Sequence, residues 1–247
     1  MESKRILNYL SDIAANNNRP WFLEHKAEYD ACRKSFNADI AQAINRIAEF
    51  DDEVAHLQVK DCVYRFNRDT RFSPDKSPYK RHLGAYICAK GRKALRGGYY
   101  IHLEPGNCLL ATGSYWLPTN ILTSCRNEMM ANIDRWLEIV ENPDFVRLFG
   151  RPGEGSWPEY SANESEENAP VTATERGFGL TMLKTCPAGF PRDYEHICYL
   201  RMKDYCCWHQ VDDSFFEGDK WFDKAVSIFK VAKPMMDFMN AVIDDYE

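Results

Sequence analysis

No stretch of these 247 residues is apolar for long enough to span a membrane, and the opening MESKRILNYLSDIAANN lacks the apolar centre of a secretory signal. The expectation is therefore a cytoplasmic protein with no membrane partner. The common nucleotide and hydrolase signatures are missing too. There is no Walker loop, no GxGxxG opening a helix, no HExxH and no GxSxG, which removes the usual P-loop, dinucleotide, zinc-protease and serine-hydrolase readings. Internal repeats are absent. Cysteine is plentiful at nine but unpatterned, with an odd count and no CxxC. Scattered thiols of this kind behave as small buried hydrophobes in a reducing compartment. No cofactor and no metal is expected.

What is there is an ordinary globular composition, 45% hydrophobic and 28% charged, with enough chain for a substantial core. The charge is unevenly placed. Between Lys60 and Arg96 eleven Lys or Arg face three Asp, a local +8 on a chain of net charge −6. A basic island on an acidic protein points to a local anion site more than to general affinity for nucleic acid.

Within the island, DCVYRFNRDTRFSPDKSPYK (61–80) concentrates charge, aromatics and turn residues. Read as a strand from Cys62 to Phe72, it puts Tyr64, Phe66, Arg68, Thr70 and Phe72 on one face and Arg65, Asn67, Asp69 and Arg71 on the other. Arg68 among aromatics must meet a carboxylate or escape through a bulge at Asn67, and Glu104 is a candidate partner for a structural ion pair. Pro74 and Pro78 stiffen the following loop and hold Lys76 and Tyr79 near the arginine face. Arg65, Arg71, Lys76 and Tyr79 are thus candidate contacts for a phosphate- or carboxylate-bearing ligand, with Asp69 and Tyr79 as candidate catalytic groups.

The spacing Arg65, Arg68, Asp69, Arg71, Phe72, Lys76, Pro78, Tyr79 resembles RxxRDxRFxxxKxPY, the signature of a family of uncharacterised, mainly bacterial proteins, domain of unknown function 2461. The likeness extends to NNRPWFLEHKAEY, GGYYIHLEPG and PAGFPRDYEHICYLRMKDY, and so covers nearly the whole chain. The last of these departs from the pattern at Cys186 and Ala188 and follows a longer polar stretch. The resemblance implies a common fold and a shared site of unstated purpose, with no activity attached.

The predicted architecture is α+β, in one domain over residues 1–247. An antiparallel sheet from residues 57–116 is covered by N-terminal, central and C-terminal helices. After the motif strand come His82–Ala89, Gly98–Leu103 and Cys108–Tyr115, with another strand at Asp204–Val211. Helices are expected at 3–15, from near Pro20 to Ile47, from Pro118 to Val140 and from about Asp219 to the end. Residues 151–179 are polar and aperiodic, and read as an insertion or lid. His102 and Glu104 alternate on one strand face and begin a metal site, but no third ligand is defined by spacing, so a hydrogen-bonded polar face is the preferred reading.

Three functions stay open: an enzyme or small-ligand binder at the arginine cluster, a surface for nucleic acid or an acidic partner, and an ion-pair network that only stabilises the fold. The oligomeric state is not legible.

Overall fold

Alternating apolar residues in four runs build a sheet whose two faces have different fates. The computed structural model describes residues 2–155 and 175–246. It contains strands β1 Leu83–Ile87, β2 Gly98–Leu103, β3 Leu109–Ser114, β4 Arg176–Phe178 and β5 Tyr205–Gln210, all antiparallel in the order β1-β2-β3-β5-β4. Leu83, Ala85, Ile87, Tyr99, Ile101, Leu103, Leu110, Tyr205 and Cys207 point into the main core. Period-two geometry sends Gly84, Tyr86, Gly98, Tyr100, His102, Ala111 and Cys206 to the opposite face. Cys206 and Cys207 accordingly belong to separate clusters.

Helices cover the first face. They are α1 Ser3–Ala15, α2 Arg19–Glu24, α3 Lys26–Ala48, α4 Val59–Cys62, α5 Thr119–Ala131, α6 Ile133–Val140, α7 Pro143–Phe149, α8 Ile197–Leu200 and α9 Trp221–Ile243. The buried stripe of α9, including Trp221, Phe222, Phe229, Met235 and Met239, packs on β3 and β5 and against α3, α5, α6 and α7. The fold is therefore α+β, with its sheet from the middle of the chain between helices from both ends. Two predicted helices are each divided. Asn18 caps α2 by accepting from Trp21 N–H, and His25 separates α2 from α3 with Nδ1 2.9 Å from the Trp21 carbonyl and its ring stacked on the indole. Asn132 ends α5 and starts α6.

The expected strand Cys62–Phe72 is corrected. Residues 59–62 are α4, and beyond them only two isolated bridges form, Val63 with Ala85 and Asn67 with Tyr79. Local side-chain bonds take over where a ladder would run. Asp69 accepts from Arg71 N–H, Asp75 accepts from Ser77 N–H, and Lys76 donates to the Thr70 carbonyl. Pro74 and Pro78 carry no N–H at all, so a ladder is lost to turn chemistry. Asn17 stands in for a missing neighbour strand: its amide donates to the Tyr79 carbonyl at 2.9 Å and accepts from Tyr79 N–H at 3.0 Å. The alternation fails with the strand, and Phe72 is 87% exposed while Phe66 is buried.

The polar segment 151–179 is also corrected at its ends. Arg176–Phe178 is β4, Phe178 is fully buried, and Pro152 bridges to it. Residues 156–174, the bulk of the expected insertion or lid, lie outside the described residues. At this edge Gly177 is required by space, since a Cβ there would meet the Trp208 indole at 2.0 Å.

Candidate ligand-binding site on the open sheet face

Small residues make the second sheet face concave. Gly98, Ala111, Gly113 and Cys206 form a floor, and the segments 92–95, 115–119, 180–181 and 203–204 rise around it to enclose a cavity of about 1020 Å³. Tyr115 and Trp116 stand exposed on one wall. On another wall, Asp204 ties two strand ends together, its carboxylate accepting from Leu180 N–H at 2.9 Å and Thr181 N–H at 3.0 Å. Burial pushes the Asp204 carboxyl up to about 6, outweighing those two donors, the Cys206 N–H and the Thr181 hydroxyl.

Polar chemistry gathers where β1 and β2 begin and end. Gly84 pairs with His102 across the ladder, and a Cβ at Gly84 would meet the Tyr100 hydroxyl at 2.7 Å, so this glycine makes room for the tyrosine. The Tyr100 hydroxyl lies 2.7 Å from His102 Nδ1, and His102 Nε2 lies 3.2 Å from Glu104 Oε2. Asn107 donates to that same oxygen at 2.9 Å. Burial raises Glu104, but the bonds from His102 and Asn107 and the charge of Arg81 outweigh it and bring the carboxyl below its ordinary value. His82, just before β1, places its ring centroid 4.5 Å from that of His102. Its imidazole is held well below the usual value by burial first, then by His102 and Lys80, and so is neutral at physiological pH.

Lys80 completes this corner. Its ammonium sits 5.1 Å from the centroid of Tyr64, which also lines the cavity. Among the described residues it makes no ion pair with a carboxylate, and its neighbours Arg65 and Arg33 are also cations. Burial lowers Lys80 first, and those two charges lower it further. Arg33 is partly buried and donates to the Tyr64 carbonyl at 2.9 Å.

Of the residues singled out from sequence, His102 and Glu104 line the cavity and the motif residues are placed elsewhere. None of Arg65, Arg68, Asp69, Arg71, Lys76 and Tyr79 lines the cavity. Tyr79 is 6% exposed, with its ring 4.2 Å from Phe22 and 5.7 Å from Phe66 in an aromatic cluster. Asp69 is clasped by Arg71, whose side-chain and backbone donors hold its carboxyl down to about 2, which makes it a poor base. Arg71 is otherwise solvated over the Phe72 ring. The pair expected between Arg68 and Glu104 is replaced: Arg68 meets Asp75 and donates to the Ser77 carbonyl at 3.2 Å. A partner seven residues along the same stiffened loop is within reach without crossing the sheet.

Sequence reasoning missed His82, Lys80, Tyr64 and Asp204 as one group. His82 and Glu104 share the face of Gly84 and His102, but that is visible only once the β1–β2 register is known.

The arrangement defines an α+β protein with one helix-covered sheet face and one face hollowed into a polar-cornered cavity. The chain belongs to the family described as conserved hypothetical protein (DUF2461), whose model matches residues 5–238. No curated protein and no solved structure matches it. Among the described residues no helix is long and apolar enough to cross a membrane.

Proposed function

We propose that the protein binds a small, partly apolar molecule bearing a carboxylate or phosphate in the open-face cavity. The anionic group would lie at Lys80, and the body of the ligand over the Gly98–Ala111 floor. The observation that carries this is Lys80 itself, a partly buried ammonium at the cavity corner, surrounded by cations and without a carboxylate partner among the described residues. A desolvated charge of that kind is costly unless a counter-charge arrives, and an anionic ligand supplies one. Arg92, Lys93 and Lys203 add positive charge around the lining. The anion chemistry first expected of Arg65, Arg71, Lys76 and Tyr79 thus moves a short way along the chain to Lys80. Of the three aromatics that would stack on bases in a nucleic-acid surface, Phe72 is exposed, Tyr64 is partly buried under Lys80 and Phe66 is buried, so that reading has less support.

The test is thermal unfolding of the wild type and Lys80→Met with inorganic phosphate, nucleotides, phosphorylated metabolites and aromatic or aliphatic carboxylates. At least one class should raise the midpoint of the wild type and leave Lys80→Met unmoved. Without ligand, Lys80→Met should be no less stable than the wild type, since it removes a desolvated charge. Stabilisation lost in Arg71→Ala but kept in Lys80→Met would return the site to the arginine loop.

A further inference from the structure

We infer that His82, His102 and Glu104 form a binding site for a divalent transition ion of the zinc and iron class, with its remaining coordination positions facing the cavity. The donor atoms of the three side chains all lie within 4.8 Å of one another. His102 Nε2 and Glu104 Oε2 are already 3.2 Å apart, and donors on a tetrahedral ion with bonds of about 2.0–2.1 Å stand about 3.3 Å from each other. The widest separation among the three, 4.8 Å at most, has to close by no more than about 1.5 Å to reach that spacing. Two imidazoles and one carboxylate suit zinc or ferrous iron and disfavour magnesium and calcium, which take oxygen donors.

The surrounding groups have the form that metal ligands require. The Tyr100 hydroxyl is 2.7 Å from His102 Nδ1, so when Nε2 gives its lone pair to an ion, Nδ1–H donates to the tyrosine oxygen and fixes the ring. Asn107 holds Glu104 Oε2 from the other side. All three ligands come from the antiparallel β1–β2 pair or its immediate ends, which gives a rigid base. His82, His102 and Glu104 all line the cavity, and three protein ligands leave a position for water or for a ligand's anionic group. The ion needs no organic ligand to bind, so this inference stands apart from the anion reading, although both meet in the same corner.

The experiment is titration of chelator-treated, reduced protein with Zn²⁺ by calorimetry, together with Co²⁺ absorption. One equivalent should bind. The Co²⁺ spectrum should show ligand-field bands without thiolate charge transfer. His82→Ala and Glu104→Gln should weaken binding by more than Tyr100→Phe, for which a loss of about 10- to 100-fold is expected. Glu104→Gln keeps the shape of the side chain and serves if His82→Ala fails to fold, with metal-free thermal unfolding as the check on both. Lys80→Met should still take up Zn²⁺, whatever becomes of the anion. Absence of stoichiometric binding, a thiolate band, or an unchanged affinity in correctly folded Glu104→Gln would each overturn the site.

Discussion

Arg71 and Lys80 sit nine residues apart in the same basic island, yet the fold treats them in opposite ways. Arg71 is exposed and grips Asp69 two residues away, in a pair that solvent screens. Lys80 is carried inward against Tyr64, where its nearest charges are other cations. The loop around Arg71 is dense in charge but answers it locally. The corner around Lys80 is also rich in cations, but among the described residues Lys80 makes no ion pair there. Density of charge along the chain and convergence of charge in space thus pick out different parts of the same island.

The sharpest way to break this comparison is to ask whether the motif region is scaffold. Phe66, 3% exposed, packs among Tyr9, Phe22, Tyr29 and Tyr79, and Phe66→Ala should cost about 3 to 5 kcal/mol in denaturant unfolding. A near-neutral result would mean that this cluster does not hold the loop, and the motif would again be open to a direct role in binding.

The next effect probes the cavity wall. Asp204 stands at about 6 in the folded protein against 3.8 unfolded, so between those values the folded state holds the extra proton and stability falls as pH rises. The change across that window should be about 3 kcal/mol, and Asp204→Asn should flatten it. The readout is stability against pH for the two proteins. Parallel profiles would show that the carboxylate is ionised and fully served by the N–H groups of Leu180, Thr181 and Cys206 and the Thr181 hydroxyl, which would make the wall more polar than burial implies.

Arg68→Ala tests the loop's own pairing. The Arg68 side chain is 19% exposed but its partner Asp75 is 51% exposed, so the loss should be about 1 to 2 kcal/mol, below that of a fully buried pair. The smallest effect is expected for Arg71→Ala, whose thermal midpoint should match the wild type and be insensitive to salt. If Arg71→Ala proves as damaging as Arg68→Ala, the solvated pair matters more than its exposure indicates, and the contrast with Lys80 weakens.

Much of the architecture was legible before any coordinates. Three strands of the meander, β5 and the helical cover follow from periodicity, because burial of one face imposes a period on the residues that make it. Two kinds of feature were not legible. The motif reads as a strand by alternation, but Asp69, Asp75, Lys76 and the two prolines satisfy or remove its backbone groups locally, and Asn17 pairs with it from 62 residues away. Short-range pattern cannot weigh that competition. His82 was missed for a different reason. The ten residues between β1 and β2 are too many for a tight turn to set the register, so nothing in the sequence says that His82 lies opposite Glu104.

The sequence by itself determined the α+β class and the basic island, since each is written in local composition and period, and its motif spacing carried the resemblance to the family. Only the tertiary structure decided that Tyr79 is core, that Arg68 answers Asp75, and that Lys80, His82, His102 and Glu104 meet in one corner of a cavity. The physical reason is that ion pairs and hydrogen bonds go to whatever group register and burial bring within about 3 Å, and neither register nor burial is a property of neighbours along the chain.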